Sequence, residues 1–285
     1  MCKENMLKEG KVISFINMKG GVGKTTLCIG IGEYLAHNCD KKILFIDLDP
    51  QFNTTQSLMN EFNLEDQYMN DYCTNKNVRK IFETPTTISE KPKLPAKEDI
   101  IINLDYNIDI IAGTINLIFE DNSKDGSKAR RVCKFIDDNH LREEYDFIFI
   151  DCPPTISLYT DSALNASDFY LVPNRIDRYS ILGIKLLKQV IDRLSFDQGL
   201  NIKPLGIVYT MIRDDYRKTT LLKDSFEKNE FVKEIGLFDS YTSYVNDLLV
   251  GLQGNISSKY KNSREDISNV CVEFLERIRR NGEQE

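Results

Sequence analysis

The 285-residue sequence predicts a doubly wound α/β fold, a mostly parallel sheet flanked by helices, carried by a single domain over residues 1–285. Three observations predict it. Short apolar runs of strand length end on glycine-rich or polar residues. Helical periodicity follows them. The alternation then continues down the chain without an internal repeat, a low-complexity tract or a linker. The length is enough to bury a sizeable core.

The first strand is Val12 to Asn17, which runs into a glycine-rich loop. Thr25 to His37 has helical spacing, with Leu27, Ile31, Tyr34 and Leu35 near one face. Ile43 to Asp47 is a second buried strand, so the chain opens as a βαβ unit. From Asn60 to Glu98 the sequence is polar and irregular. It reads as short helices, including Val78 to Phe82, and then a surface loop around Thr84-Pro85-Thr86-Thr87 and Lys91-Pro92-Lys93-Leu94-Pro95. Ile100 to Leu104 and Ile108 to Ala112 read as strands, Asp121 to Ser127 as a polar turn, and Lys128 to Leu141 as a helix. Phe147 to Asp151 is the clearest buried strand, and Phe169 to Val172 and Leu205 to Met211 are two more. Ile181 to Leu194 is an amphipathic helix between them. A C-terminal helix over residues 263–280 is expected, capped by Ser263 with Asp266 three residues on. Its stripe is Ile267, Val270, Cys271, Phe274, Leu275 and Ile278. Residues 1–10 form a short N-terminal arm.

Composition excludes several functions. The formal net charge is −7, so contact with nucleic acid needs a local basic patch. The seven cysteines are scattered without C-x-x-C spacing, as expected of buried thiols in a reducing compartment. His37 and His140 are the only histidines, which argues against a zinc site and against a Ser-His-Asp triad. The N-terminus lacks the apolar core of a signal peptide, and no apolar stretch is long enough to span a bilayer. The expected location is cytoplasmic, without membrane attachment.

Chemistry concentrates in Lys19-Gly20-Gly21-Val22-Gly23-Lys24-Thr25-Thr26. A strand feeding a glycine-rich turn and then a helix aims backbone N–H groups and the positive helix end at one point, which suits phosphate. Lys24 is placed to reach the β- and γ-phosphates, and the Thr25 hydroxyl to ligate Mg²⁺. Met18 stands where the strict motif has its first glycine, and Lys19 is an additional lysine before the glycines.

These residues resemble the signature of the ParA/MinD family of deviant Walker A ATPases, within the P-loop NTPase fold. Ile46-Asp47-Leu48-Asp49-Pro50-Gln51 resembles the family's D-x-D-P-Q segment. Asp146-Phe147-Ile148-Phe149-Ile150-Asp151-Cys152-Pro153-Pro154 resembles its Walker B strand and switch. The resemblance covers residues 11–215 and favours the ParA branch. It implies ATP and Mg²⁺ as ligands, slow partner-stimulated hydrolysis, and a homodimer in the ATP state. In that dimer Lys19 would reach the partner's nucleotide. Asp47 matches the residue that positions the attacking water, and together with Thr25 and Asp151 it makes up the expected metal site. Asp49 is open between a structural and a functional role. Pro173, Asn174, Thr210 and Met211 stand where the family lines its adenine pocket. Arg175, Arg178 and Arg213 are candidates for phosphate or partner contacts, or plain solvated surface.

The implied function is an ATP-driven dimerisation switch in plasmid or chromosome partitioning, working with a ParB-like adaptor. The alternative is a positioning or signalling switch, in a mobile-element or defence locus, that docks a protein without nucleoid DNA. A metabolic enzyme related to dethiobiotin synthetase or nitrogenase reductase is a third, weaker reading. The segment Gly236 to Asp247 carries two aspartates and no lysine or arginine, where DNA-binding relatives are basic. Any DNA binding is expected to be weak, non-specific and salt-sensitive, resting on Arg213, Arg217 and Lys218 with Lys259, Lys261 and Arg264. The acidic groups of the last helix argue for core packing over membrane binding.

Overall fold

The computed structural model describes residues 9–83, 93–120, 126–213, 216–251, 254 and 256–283. Eight strands form one sheet in the order β3-β4-β2-β5-β1-β6-β7-β8. The strands are β1 (Lys11–Phe15), β2 (Ile43–Asp47), β3 (Ile101–Asp105), β4 (Ile108–Ile111), β5 (Phe147–Asp151), β6 (Phe169–Asn174), β7 (Lys203–Ile212) and β8 (Leu237–Ser243). All pairings are parallel except that of β3 with β4. β1, β2 and β5 are apolar on both faces because helices cover both sides of the sheet.

One face carries α1 (Lys24–Cys39) and the C-terminal helix, here α8 (Lys261–Gly282). The other carries α3 (Arg131–Asp138), α4 (Leu158–Ala166), α5 (Ser180–Gln198) and α7 (Glu230–Ile235). α2 (Asn53–Glu61) follows β2, and α6 (Tyr216–Glu227) follows β7. The expected C-terminal stripe is buried at Ile267, Val270, Cys271, Phe274 and Ile278, with Leu275 partly covered. Phe274 sits edge-on to Phe147 and Phe149 at 5.4 and 5.8 Å, so this helix is part of the core.

Several expectations are corrected. Ser263 does not cap α8: the helix starts two residues earlier, Tyr260 holds the cap position, and the Ser263 side chain is buried. The helix expected over Lys128 to Leu141 is broken. A 3₁₀ turn over Gly126–Arg130 precedes α3, and His140, at φ 52°, separates α3 from Leu141–Glu144. The Asn139 amide ends α3 by donating to the Phe135 carbonyl at 2.9 Å. Lys97–Ile100 is helical, and Ile101 begins β3. β8 was not legible, because as an edge strand it fully buries only Phe238. The turn at Thr84 to Thr87, residues 91–92 of the following loop, residues 121–125 and residues 1–8 of the arm lie outside the described residues. Among the described residues, no helix is long and apolar enough to cross a membrane.

Candidate nucleotide site

The motif residues converge at the carboxyl edge of the sheet, where open α/β sheets bind ligands. The loop from Met18 to Gly23 joins β1 to α1. Gly21 and Gly23 take φ of 68° and 81°, left-handed values that a side chain would strain. Lys24 opens α1 and is buried, its ammonium donating to the Lys19 carbonyl at 3.2 Å. Burial lowers its pKa, and Asp151 and Asp49 partly offset this. The loop is tied to β6 through Asn17, which donates to the Pro173 carbonyl at 2.9 Å and accepts from the Lys19 N–H at 3.1 Å. It is tied to β7 by Thr210, which donates to the Val22 carbonyl at 2.7 Å.

Asp47 and Asp151 are register partners at the ends of β2 and β5, and both are buried. Thr25 donates to Asp151 Oδ2 at 2.6 Å, and Thr54 donates to the same oxygen at 2.7 Å. Asp151 Oδ1 is buried with no hydrogen-bond partner. Asp47 Oδ2 accepts from the Thr55 N–H at 2.9 Å and its hydroxyl at 2.7 Å, while Oδ1 accepts from the Asp49 N–H at 3.2 Å. A Cβ at Gly113 would lie 2.8 Å from Asp47 Cγ, so this approach requires glycine. Burial raises both carboxyl pKa values. For Asp47 the neighbouring Asp151 adds to the rise, whereas hydrogen bonds from Thr25 and Thr54 restrain that of Asp151. A cation bound here would relieve that cost. An open carboxylate oxygen beside a phosphate-loop threonine fits Mg²⁺, which takes few protein ligands and completes its shell with water and phosphate. No cluster of three or more acidic, histidine or cysteine groups suited to a metal occurs among the described residues.

A cavity of about 360 Å³ lies over this loop. Gly20, Gly21, Gly23, Lys24, Thr25 and Thr26 line its floor. Met211 reaches it from β7 in a left-handed conformation, φ 55°. Pro173, Asn174 and Thr210 do not line it. Pro173 serves the Asn17 bond, and the Asn174 amide is buried without a partner. Sequence reasoning missed Gln51, Asn53, Gln56, Pro154 and Leu248, which also line the cavity. Gln51 closes the D-x-D-P-Q segment and Pro154 the Walker B segment, so these two of the set stood inside recognised motifs. Lys19 turns away from its own loop, and its ammonium is ion-paired with Asp177 ahead of α5.

A family profile described as an AAA domain matches residues 10–203. The chromosome-partitioning ATPase Soj of Treponema pallidum is 30% identical over 203 residues, 71% of this chain and 72% of that protein. The chain belongs to the ParA/MinD family of deviant Walker A ATPases, closest to the ParA-type partition ATPases. The chromosome partitioning protein ParA of Myxococcus xanthus is 31% identical over 205 residues, 71% of this chain, and the match spans 65% of that relative's length. A plasmid partition protein of Borrelia burgdorferi, solved with AMPPNP, superposes with a TM-score of 0.71 at 23% identity over 94% of this chain and 99% of the other. The fold is that of a P-loop NTPase.

Of the six cations named for DNA contact, four have described side chains in this ParA-family chain, and three of those four are engaged. The Arg213 guanidinium lies 3.8 Å from the centre of the Tyr244 ring, and Lys259 pairs with Glu61 at 2.5 Å. Arg264 donates to the Ser258 carbonyl at 2.7 Å. Lys261 is exposed. The side chains of Arg217 and Lys218 lie outside the described residues. On β8 the N–H groups of Asp239 and Ser240 donate to Glu273, itself ion-paired with Arg277 at 2.9 Å, and that of Ser243 donates to Asp266.

Proposed function

We propose that this chain hydrolyses ATP and acts as an ATP-driven dimerisation switch in plasmid or chromosome partitioning, in the cytoplasm. The observation that carries the reading is a phosphate loop lining a cavity, with Thr25 of that loop bonded to the buried Asp151 and Asp47 beside Asp151 in the sheet. The N–H groups of the loop and Lys24 hold the β- and γ-phosphates. Thr25, with Asp151 acting through water, would hold Mg²⁺, which neutralises phosphate charge when bound. Asp47 orients the attacking water. Lys19 serves the nucleotide of a second protomer, adding positive charge where the transition state develops negative charge. Met211, backed by Thr210, borders the base, while Pro173 supports the loop from β6. A ParB-like adaptor accelerates hydrolysis and reopens the dimer.

A second reading has a specific observation in its favour. The engagement of Arg213, Lys259 and Arg264 within the chain suits a switch that docks a protein and leaves nucleoid DNA alone.

Mixing Lys19→Ala with Asp47→Ala protomers tests the division of roles. With Lys19 acting in trans and Asp47 in cis, each mixed dimer holds one intact site and one doubly damaged site, and hydrolysis partly recovers. No recovery in confirmed mixed dimers would show that the roles are wrongly assigned.

A further inference from the structure

Two adjacent threonines at the start of α2 each hold one of the two buried carboxylates. We propose that Thr54 and Thr55 are positioning residues of this site, Thr54 fixing Asp151 and Thr55 fixing Asp47, so that the first turn of α2 sets the geometry of both. The inference rests on the nucleotide-hydrolysing reading above and extends it to residues outside the motifs.

Both side chains are fully buried, so their hydroxyls have only protein partners. The polarity of Thr55 is set by its surroundings. Its oxygen accepts from the Gly113 N–H at 2.7 Å, and its single proton goes to Asp47 Oδ2 at 2.7 Å. Tyr68 in turn donates to the Gly113 carbonyl at 2.8 Å, which fixes that peptide. Asp47 thus receives three donors and has one orientation, two of the three coming from Thr55.

Thr54 acts differently. It shares Asp151 Oδ2 with Thr25 and leaves Oδ1 open. If the Thr25 oxygen engages a cation, Thr54 is the side-chain donor that remains on Asp151 among the described residues. It then keeps the carboxylate in this orientation, with Oδ1 unpaired. Consecutive helical residues point about 100° apart, so one turn can address two strand ends that are neighbours in the sheet. α2 is anchored beyond this turn as well: Glu61 at its end pairs with Lys259 at 2.5 Å.

The test compares Val and Ser at each position in the full-length protein. Four quantities are read: binding of a fluorescent ATP analogue, the maximal hydrolysis rate, the Mg²⁺ concentration that half-saturates nucleotide binding, and melting of the nucleotide-free protein. Thr55→Val is expected to lower the maximal rate about tenfold while analogue binding stays within about twofold. Thr54→Val is expected to raise the half-saturating Mg²⁺ concentration about tenfold. Thr55→Ser and Thr54→Ser restore both, because the hydroxyl and not the methyl is what acts. If a Val variant does not fold, Ala at that position takes its place in the comparison. Wild-type rate and Mg²⁺ requirement in the Val or Ala variants overturns the proposal, and so does a Ser variant as impaired as Val. A wild-type chain that neither binds nor hydrolyses ATP overturns the functional reading instead.

Discussion

Lys24 is the residue whose removal has the most direct consequence. It is buried within the loop, and no second ammonium replaces it, because Lys19 is drawn off to Asp177. Lys24→Ala leaves phosphate charge facing two buried carboxylates without compensation. Titration with a fluorescent ATP analogue should show loss of binding by at least about a hundredfold, roughly the 3 kcal/mol of an unpaired buried charge. Unchanged affinity would remove the phosphate-loop assignment. The loop was legible from sequence because its chemistry is local: strand, glycines, lysine and threonine are contiguous. The role of Lys19 within one protomer was not, since Asp177 is 158 residues away. Thr54 and Thr55 escaped notice for a similar reason. Two threonines at the start of a helix carry no signal until the sheet brings Asp151 beside Asp47.

At the scale of elements, α1 is joined to the β3–β4 hairpin by His37. Its Nδ1 lies 2.9 Å from Glu33 on its own helix and its Nε2 lies 2.9 Å from Asp105. Desolvation works against the charged ring, but hydrogen bonds to Glu33 and Asp105 outweigh it, and the pKa is raised from 6.5. A raised pKa contributes stability that is fully present below the unfolded value and is lost as pH rises through the folded value. Asp105 is lowered from 3.8, chiefly by its bond to His37, so its contribution is present above that value and lost on acidification through the lowered one. Melting temperature should therefore fall as pH rises from about 6.5 through the raised histidine pKa. His37→Gln should flatten that dependence, and an equal slope in the variant would contradict the account. The long strands and α8 were legible because their apolar periodicity decides burial by itself. β8 and the break at His140 were not: an edge strand needs only one buried aromatic, and the break depends on a left-handed residue that no periodicity reports.

At the scale of the whole molecule, net charge and the placement of cations decide what the switch can carry. The chain has a formal charge of −7, and most of the basic groups described near its C-terminal half are held by carboxylates, carbonyls or rings. Binding to random duplex DNA should be weak, ATP-dependent and lost between low and physiological salt, because few phosphate contacts sustain it. A mobility-shift series across salt, with ATP and with ADP, measures this. Tight binding with ATP at physiological salt would establish the surface as a DNA face, and no binding at any salt would favour the protein-docking reading. Nucleotide is expected to close two protomers on one another, and the mass of Asp47→Ala in solution measures this. That variant should bind ATP with Mg²⁺ yet fail to hydrolyse it, and light scattering should report a stable dimer of the 32.9 kDa chain with ATP and a monomer with ADP. A chain that binds ATP and stays monomeric would contradict the account.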